Sequence, residues 1–345
     1  MNKKYFAAAN TEAGFRSLFA EVFSPGELSR IYIIKGGPGT GKSTFMYGIA
    51  SLAEERGLAT EYYYCSADTG SLDGVKIPAL GVAVLDGTSP HTSDPRYPGA
   101  CETIVNLGQN FDVEKLREHR AQIEALTDEC SACYKRSARF LRAAGEVERL
   151  RLDLAGKTFD FAKARKAARR LLSRAKPGGG EYRERYISAL GTRGRAHIQN
   201  SAEKGEKIVQ ICGKYGAEKL FLRVLCEQAQ AFGYTLLRHP DVLLHDYTEG
   251  LYIKELKTRY IITEESEEQI NAMRFVNAGV LAANRAKLRF AEKCYTSVLD
   301  GALAELSEMG KKHDELEKFY VSAMDFEKSD AMRAQVEKEI FSELL

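Results

Sequence analysis

A chain of 345 residues, 44% apolar and 28% charged, is long enough for two domains of ordinary size, each with its own core. The net charge of +2 excludes a molecule that is basic all over, so any affinity for polyanions must be local. No apolar run approaches the ~18 residues of a membrane span, and the start, MNKKYFAAANTEAGF, is too weakly apolar for a secretory signal. Seven cysteines without framework spacing point to reduced thiols and a cytoplasmic location.

In chain order, GFRSLFAEVF at 14–23 predicts an amphipathic helix against a sheet edge. RIYIIK at 30–35 reads as a buried strand, 43–56 as a helix stopped by Gly57, TEYYYC at 60–65 as a second strand and GVAVLDG at 81–87 as a third. Apolar strands of this kind predict a largely parallel sheet covered on both faces, with Tyr62, Tyr63 and Tyr64 in its core. From about 112 to 176 the pattern becomes helical with heptad spacing, through Leu116, Ile123, Leu126, Cys130, Cys133, Phe140, Val147 and Leu154, and predicts a helical hairpin. Cys130 and Cys133 fall on its apolar seam and lack the second pair that a zinc site needs. Lys157 to Lys176 is strongly basic, which suits nucleic-acid phosphates or an anionic membrane, or simply a solvated face.

After KPGGGEY the order repeats. RYISALGT matches KYFAAANT, KIVQICGKYGAEK matches RIYIIKGGPGTGK with Gly36 against Gly213 and Lys42 against Lys219, and KTRYIIT stands for GVAVLDG. Another heptad-like region, about 271–345, follows, and MDF at 324–326 answers FDF at 159–161. The expectation is therefore α/β, two tandem parallel-sheet units at 1–179 and 180–345, each with a long helical hairpin.

The segment GGPGTGKST, residues Gly36, Gly37, Pro38, Gly39, Thr40, Gly41, Lys42, Ser43 and Thr44, fits G-x-x-x-x-G-K-[ST] between a predicted strand and a predicted helix. Such a loop wraps a phosphate in backbone N–H groups, so it needs glycines where a Cβ would block the chain, and the helix N-terminus adds further unpaired donors. Lys42 is expected on the β- and γ-phosphates and Ser43 on Mg²⁺, with ATP as the nucleotide. Asp86, at the end of an apolar strand beside the loop, is the expected second metal carboxylate. Asp68 and Asp73 are expected in turn or capping roles. No carboxylate follows Asp86; Gly87 stands there, and His91, Asp94, Arg96 and Glu102 in the next loop offer no ranked water activator.

In the second copy Gly41 becomes Glu218, Ser43 becomes Leu220 and Asp86 becomes Ile262, so the lysine survives in a loop stripped of its cradle and metal ligands. FAAANTEAGF, IYIIKGGPGTGKSTFM, the stretch YYYCSADTGSLDGVKIPALGVAVLDGTSPH and DPRYPGACETIVNLG resemble a family of bacterial tandem P-loop ATPases over nearly the whole chain. The resemblance implies an ATP-binding domain with 36–44 as phosphate loop; the chain departs from it in the second unit, where many relatives are expected to keep an intact loop. The expected function is a slow Mg-dependent ATPase with one live site. Its alternatives are a non-hydrolysing, nucleotide-gated scaffold or nucleic-acid binder, and a small-molecule phosphotransferase. A protein partner or self-association is expected through the helical hairpins.

Overall fold

The computed structural model describes residues 2–89 and 92–342. In the first unit the strands are β1 (Lys3–Phe6), β2 (Ala8–Thr11), β3 (Gly14–Ser17), β4 (Arg30–Lys35), β5 (Glu61–Tyr64), β6 (Leu72–Ile77), β7 (Val82–Asp86) and β8 (Glu102–Asn106), with helices α1 (Phe19–Val22) and α2 (Lys42–Glu55). Six of them form one sheet in the order β1-β5-β6-β7-β4-β8, parallel except for β6. β2 and β3 form a separate antiparallel hairpin. The expected helix at 14–23 is thus split: 14–17 pairs as a strand and only the turn α1 is helical, because Gly14 at φ 104° makes the tight hairpin turn.

Three helices lead out of this sheet: α3 (Val113–Glu118), α4 (Arg120–Gly156) and α5 (Phe161–Leu172). The second unit then follows with β9 (Tyr182–Glu184), β10 (Ser188–Gly191), β11 (Gly194–His197), β12 (Lys207–Cys212), α6 (Ala217–Ala231), β13 (Leu236–Pro240), β14 (Thr248–Ile253), β15 (Thr258–Ile261) and β16 (Glu268–Asn271). Its sheet order, β16-β12-β15-β14-β13-β9, is that of the first unit strand for strand. The fold is α/β with two mixed, mostly parallel sheets in tandem, as expected.

The long helices do not form one hairpin per unit. α4 runs unbroken for 37 residues, about 55 Å at 1.5 Å per residue, and packs antiparallel on α7 (Ala278–Ser322). Arg136 meets Glu305, Lys312 meets Glu129, and Gly301 lies under Phe140. α5 then docks on α6 of the second unit, while α8 (Phe326–Phe341) returns to α2 of the first. A hairpin needs a turn, and 120–156 has none; the break comes only at Asp160, whose carboxylate caps α5, as Asp325 caps α8. The buried stripe of α4 also leaves the heptad after Cys133, passing through Ser137, Leu141, Ala144, Glu148 and Leu152, because this half packs on the sheet domains as well as on α7.

The two units meet about a pseudo-twofold axis. Phe6 and Tyr186 occupy equivalent places and exchange backbone hydrogen bonds, with N···O distances of 2.9 and 3.2 Å. This is one residue off the expected match of KYFAAANT with RYISALGT, because the two hairpins turn at 11–14 and 191–194. Around them a single apolar core runs from Phe6 and Tyr63 of the first unit to Tyr186, Leu190 and Leu251 of the second. Among the described residues, no helix is long and apolar enough to cross a membrane.

Two histidines of the second unit, His239 buried and His197 half-buried, make stability depend on pH in opposite senses. His239 is buried and its pKa is lowered to about 3 by desolvation, so its contribution is present above the unfolded value near 6.5 and is lost as pH falls below it. Burial also disfavours charge on His197, but the carboxylates of Glu249 and Glu264 outweigh it and raise the pKa to about 9. That contribution is complete below ~6.5 and is lost as pH rises through 9. Urea melts should therefore show maximal stability near pH 6.5, with a loss on the order of 1–2 kcal/mol by pH 9 that His197→Gln removes. A His197→Gln protein with the same alkaline loss as wild type would refute the assignment.

Candidate functional site

The strand β4 ends at Lys35, and residues 36–41 cross to the start of α2. Gly39 and Gly41 take φ values of 67° and 80°, which a side chain tolerates poorly. These two positions open the loop and turn it into the helix, whose first N–H groups have no intrahelical acceptor and face the loop. The Thr40 hydroxyl braces the turn by donating to the Gly37 carbonyl at 3.0 Å.

Lys42 donates to the carbonyls of Gly36 and Gly37 at 3.2 and 2.8 Å, and its Nζ lies 3.6 Å from Asp86 Oδ2. The expected pairing of strands holds: Asp86 on β7 stands beside Ile34 on β4, one strand over from the loop. Burial raises the Asp86 carboxyl above its ordinary pKa, against the opposing pull of Lys42 and of the Thr88 hydroxyl and N–H that it accepts. The Ser43 hydroxyl accepts from the Leu72 N–H at 3.0 Å.

Asp68 and Asp73 separate. Asp68 holds a turn, as expected, accepting from Gly70 N–H and the Ser71 hydroxyl. Asp73 is not in a turn; it is buried in β6 at the register shift between Gly74 and Leu72, near enough for its charge to act on Asp86. Of the loop after Asp86, Glu102 is committed to structure, accepting from the N–H groups of Arg96 and Tyr97, and Asp94 pairs with Lys35 at 2.9 Å. His91 lies outside the described residues.

A nucleotide with magnesium fits these residues in two respects. Gly39 and Gly41 take the left-handed backbone of a phosphate-wrapping loop, with Val321, Glu317 and Phe326 lying over them, and a hydroxyl and a carboxylate supply the hard oxygen donors that magnesium prefers. One donor is already engaged. Gly39 donates its N–H to Glu317 Oε1 of α7 at 3.0 Å, with Val321 and Tyr320 of the same helix packed over Gly39 and Gly37. Glu317 is 278 residues away in sequence, and no local pattern marks it. Aligning FDF with MDF would have set Leu152 against Glu317, the last turns of the two long helices.

The second loop is closed. Its helix α6 starts at Ala217, two residues before Lys219, whereas α2 starts at Lys42 itself. The left-handed residue before α6 is Gly216, at φ 89°, as Gly41 is before α2. Residues 213–216 make a shorter crossing than 36–41, so Glu218 and Lys219 fall inside the first turn of the helix. The Glu218 carboxylate folds back against Gly213, and its buried Oε2 accepts no hydrogen bond among the described residues. Lys219 Nζ sits 2.8 Å from Asp241 and 3.0 Å from Glu148, a residue that α4 brings from the first unit. Glu148 is in turn gripped by Arg151 through both oxygens, at 2.6 and 2.7 Å. Burial disfavours every one of these charges, yet the mutual pairing holds the Glu148 and Asp241 carboxyls below their ordinary pKa and the Lys219 ammonium above its own. Two protein carboxylates surround this ammonium.

The basic segment forms α5. Ala164, Ala168 and Leu172 are buried, and Lys163, Arg165, Lys166, Arg169, Arg170 and Arg174 are exposed. None of the six forms an ion pair among the described residues. No protein-family model, curated protein or solved structure matches the chain.

Proposed function

We propose that the protein is a slow magnesium-dependent ATPase with one nucleotide site, at Gly36 to Thr44, and that the second loop has become a structural lock. What carries this reading is the contrast between two copies of one loop. The first keeps the longer crossing, residues 36–41, with Lys42 and Asp86 converging on it; the second is shortened to 213–216, filled by Glu218 and sealed by Glu148. Backbone N–H groups of 36–44 would hold the phosphates, Lys42 would hold the β- and γ-oxygens, and Ser43 and Asp86 would hold magnesium. Magnesium held there would supply positive charge to the phosphate oxygens. No carboxylate follows Asp86 to orient the attacking water, so turnover is slow. Titration calorimetry with MgATP and a phosphate-release assay on the full chain test this; absence of binding refutes it.

Glu317 places a carboxylate on a donor that a phosphate needs. Glu317→Gln should bind MgATP roughly ten-fold more tightly, since it removes a charge-assisted bond and a like charge beside the triphosphate. Unchanged or weaker binding would mean that the contact does not compete with nucleotide.

A second reading, nucleic-acid binding, is favoured by α5. Its apolar face is already spent on α6, which leaves no face to insert into a bilayer, while Phe232 stands 45% exposed beside Arg169. A basic ridge next to a ring suits a single strand, through phosphate contacts and base stacking. Fluorescence anisotropy with a labelled oligonucleotide, read for a steep salt dependence that Arg165→Gln with Arg170→Gln reduces, tests it. Salt-independent or absent binding removes this reading.

A further inference from the structure

We propose that Arg193, carried by the second unit, reaches the phosphates bound by the first and stabilises the charge that develops during hydrolysis. This rests on the reading of 36–44 as a site of MgATP hydrolysis.

The hairpin β10–β11 crosses from the second unit onto the first, and its tip is pinned there. Thr192 donates its N–H and its hydroxyl to the Ala67 carbonyl at 2.8 and 3.1 Å. The approach is so close that a Cβ on Gly191 would stand 2.4 Å from the same oxygen. At the tip, Arg193 lies 3.3 Å from Asp68 and against Gly70. Two residues beyond Gly70, the Leu72 N–H donates to the hydroxyl of Ser43, the expected magnesium ligand.

A second line of contacts reaches the same place. Thr192 packs on Gly310 of α7, and seven residues further along that helix Glu317 touches Gly39 of the loop. Seven residues are about 10 Å of helix, so the tip stands at the rim of the loop within reach of a long side chain. Arg193 is 70% exposed and held by one surface ion pair, which leaves its guanidinium free to turn toward a triphosphate.

The pseudo-twofold axis supplies an internal control. The equivalent hairpin of the first unit, β2–β3, leans on the second unit through Glu12, whose N–H donates to the Leu243 carbonyl at 3.2 Å. Its tip carries Ala13 where the other carries Arg193, and a cavity of about 380 Å³ lined by Glu12, Ala13, Arg149 and His245 lies beside it. At the tip position itself an arginine stands beside the first loop and an alanine beside the second, where the nearby cation, Arg149 of α4, is spent on Glu12 and Asp246. This also gives the degenerate copy a reason to persist: it holds a positive group in place for its neighbour.

In the proposed step a water oxygen bonds to the γ-phosphorus as the bond to the β,γ-bridging oxygen breaks. The bond electrons leave with ADP, and the proton of the water passes to solvent. Arg193 keeps its protons throughout and donates hydrogen bonds to oxygens that gain charge. Groups placed in this way are worth ~10³–10⁵ in rate.

The test compares wild type, Arg193→Ala and Arg193→Lys as full chains, with MgATP affinity by calorimetry, steady-state phosphate release and thermal melts. Arg193→Ala should lower kcat at least 100-fold while the Kd for MgATP stays within about three-fold and the melt is unchanged, because the residue is exposed. Lysine should restore little, lacking the planar fork, and added guanidinium ion should partly rescue the alanine variant. Wild-type turnover in Arg193→Ala overturns the proposal, as does a loss of affinity equal to the loss of rate, which would make Arg193 a ground-state binding group. A wild type that binds MgATP without hydrolysing it overturns the role of Arg193 as well. A wild type that does not bind MgATP at all overturns the underlying reading of the loop instead.

Discussion

Lys42→Ala should weaken MgATP binding at least ~100-fold and bring phosphate release to background, because one ammonium serves two phosphates through charge-assisted bonds worth ~1.5–3 kcal/mol each. The fold should hardly notice. Asp86 loses its nearest cation, but its carboxyl is already raised by burial, can take up a proton, and keeps the two hydrogen bonds from Thr88. A stability change of no more than about 1–2 kcal/mol in urea melts is expected. A Lys42→Ala protein that binds MgATP like wild type would show that the open loop is not the nucleotide site.

Lys219→Ala should do the reverse. Its removal leaves Glu148 and Asp241, both buried, without the cation between them, and breaking a buried pair from one side typically costs about 3–5 kcal/mol. MgATP affinity should be unchanged wherever the protein remains folded, since the second loop has no cradle to lose. Combining Lys219→Met with Asp241→Asn should recover part of the lost stability, because no orphan charge remains at 241 and the amide oxygen still accepts from the Leu243 and Leu244 N–H groups. The outcome that counts against this account is a Lys219→Ala protein of normal stability that has lost nucleotide binding. The two lysines, matched in the sequence repeat, are thus expected to differ fully in kind: one removes function without stability, the other stability without function.

The same pairing gives Lys219 a structural role. Lys219 is held by Glu148 from α4, a helix that starts in the other unit, so it ties the two halves together through a buried ionic contact. Glu148 could not be anticipated from the second loop, because only the unbroken length of α4 carries it there.

Much of the fold was legible in residues 30–106. The apolar runs, the glycines around Lys42 and the aspartate closing VAVLD have local causes, and each takes the place expected of it. β6 was missed because LDGVKI mixes a glycine and two charged residues into a strand whose side chains are nevertheless all buried; Lys76 reaches the Val22 carbonyl at 3.1 Å. Asp73 was misplaced for the same reason, since a strand without a clean alternation looks like a turn.

The duplication was readable because an open βαβ loop, a strand order and a helix cap recur wherever their residues recur: the sheet orders of the two halves agree strand for strand, and Asp160 and Asp325 cap equivalent helices. What only the tertiary structure decided was where the long helices go and what they deliver. Heptad spacing states that a helix has an apolar stripe and is silent on which surface will cover it. The stripe of α4 found α7, and the two crossing helices brought Glu148 to the closed loop, Glu317 to the open one and α5 and α8 to opposite units. Local propensity sets the elements; burial of their remaining apolar faces, which depends on the whole chain at once, sets the partners.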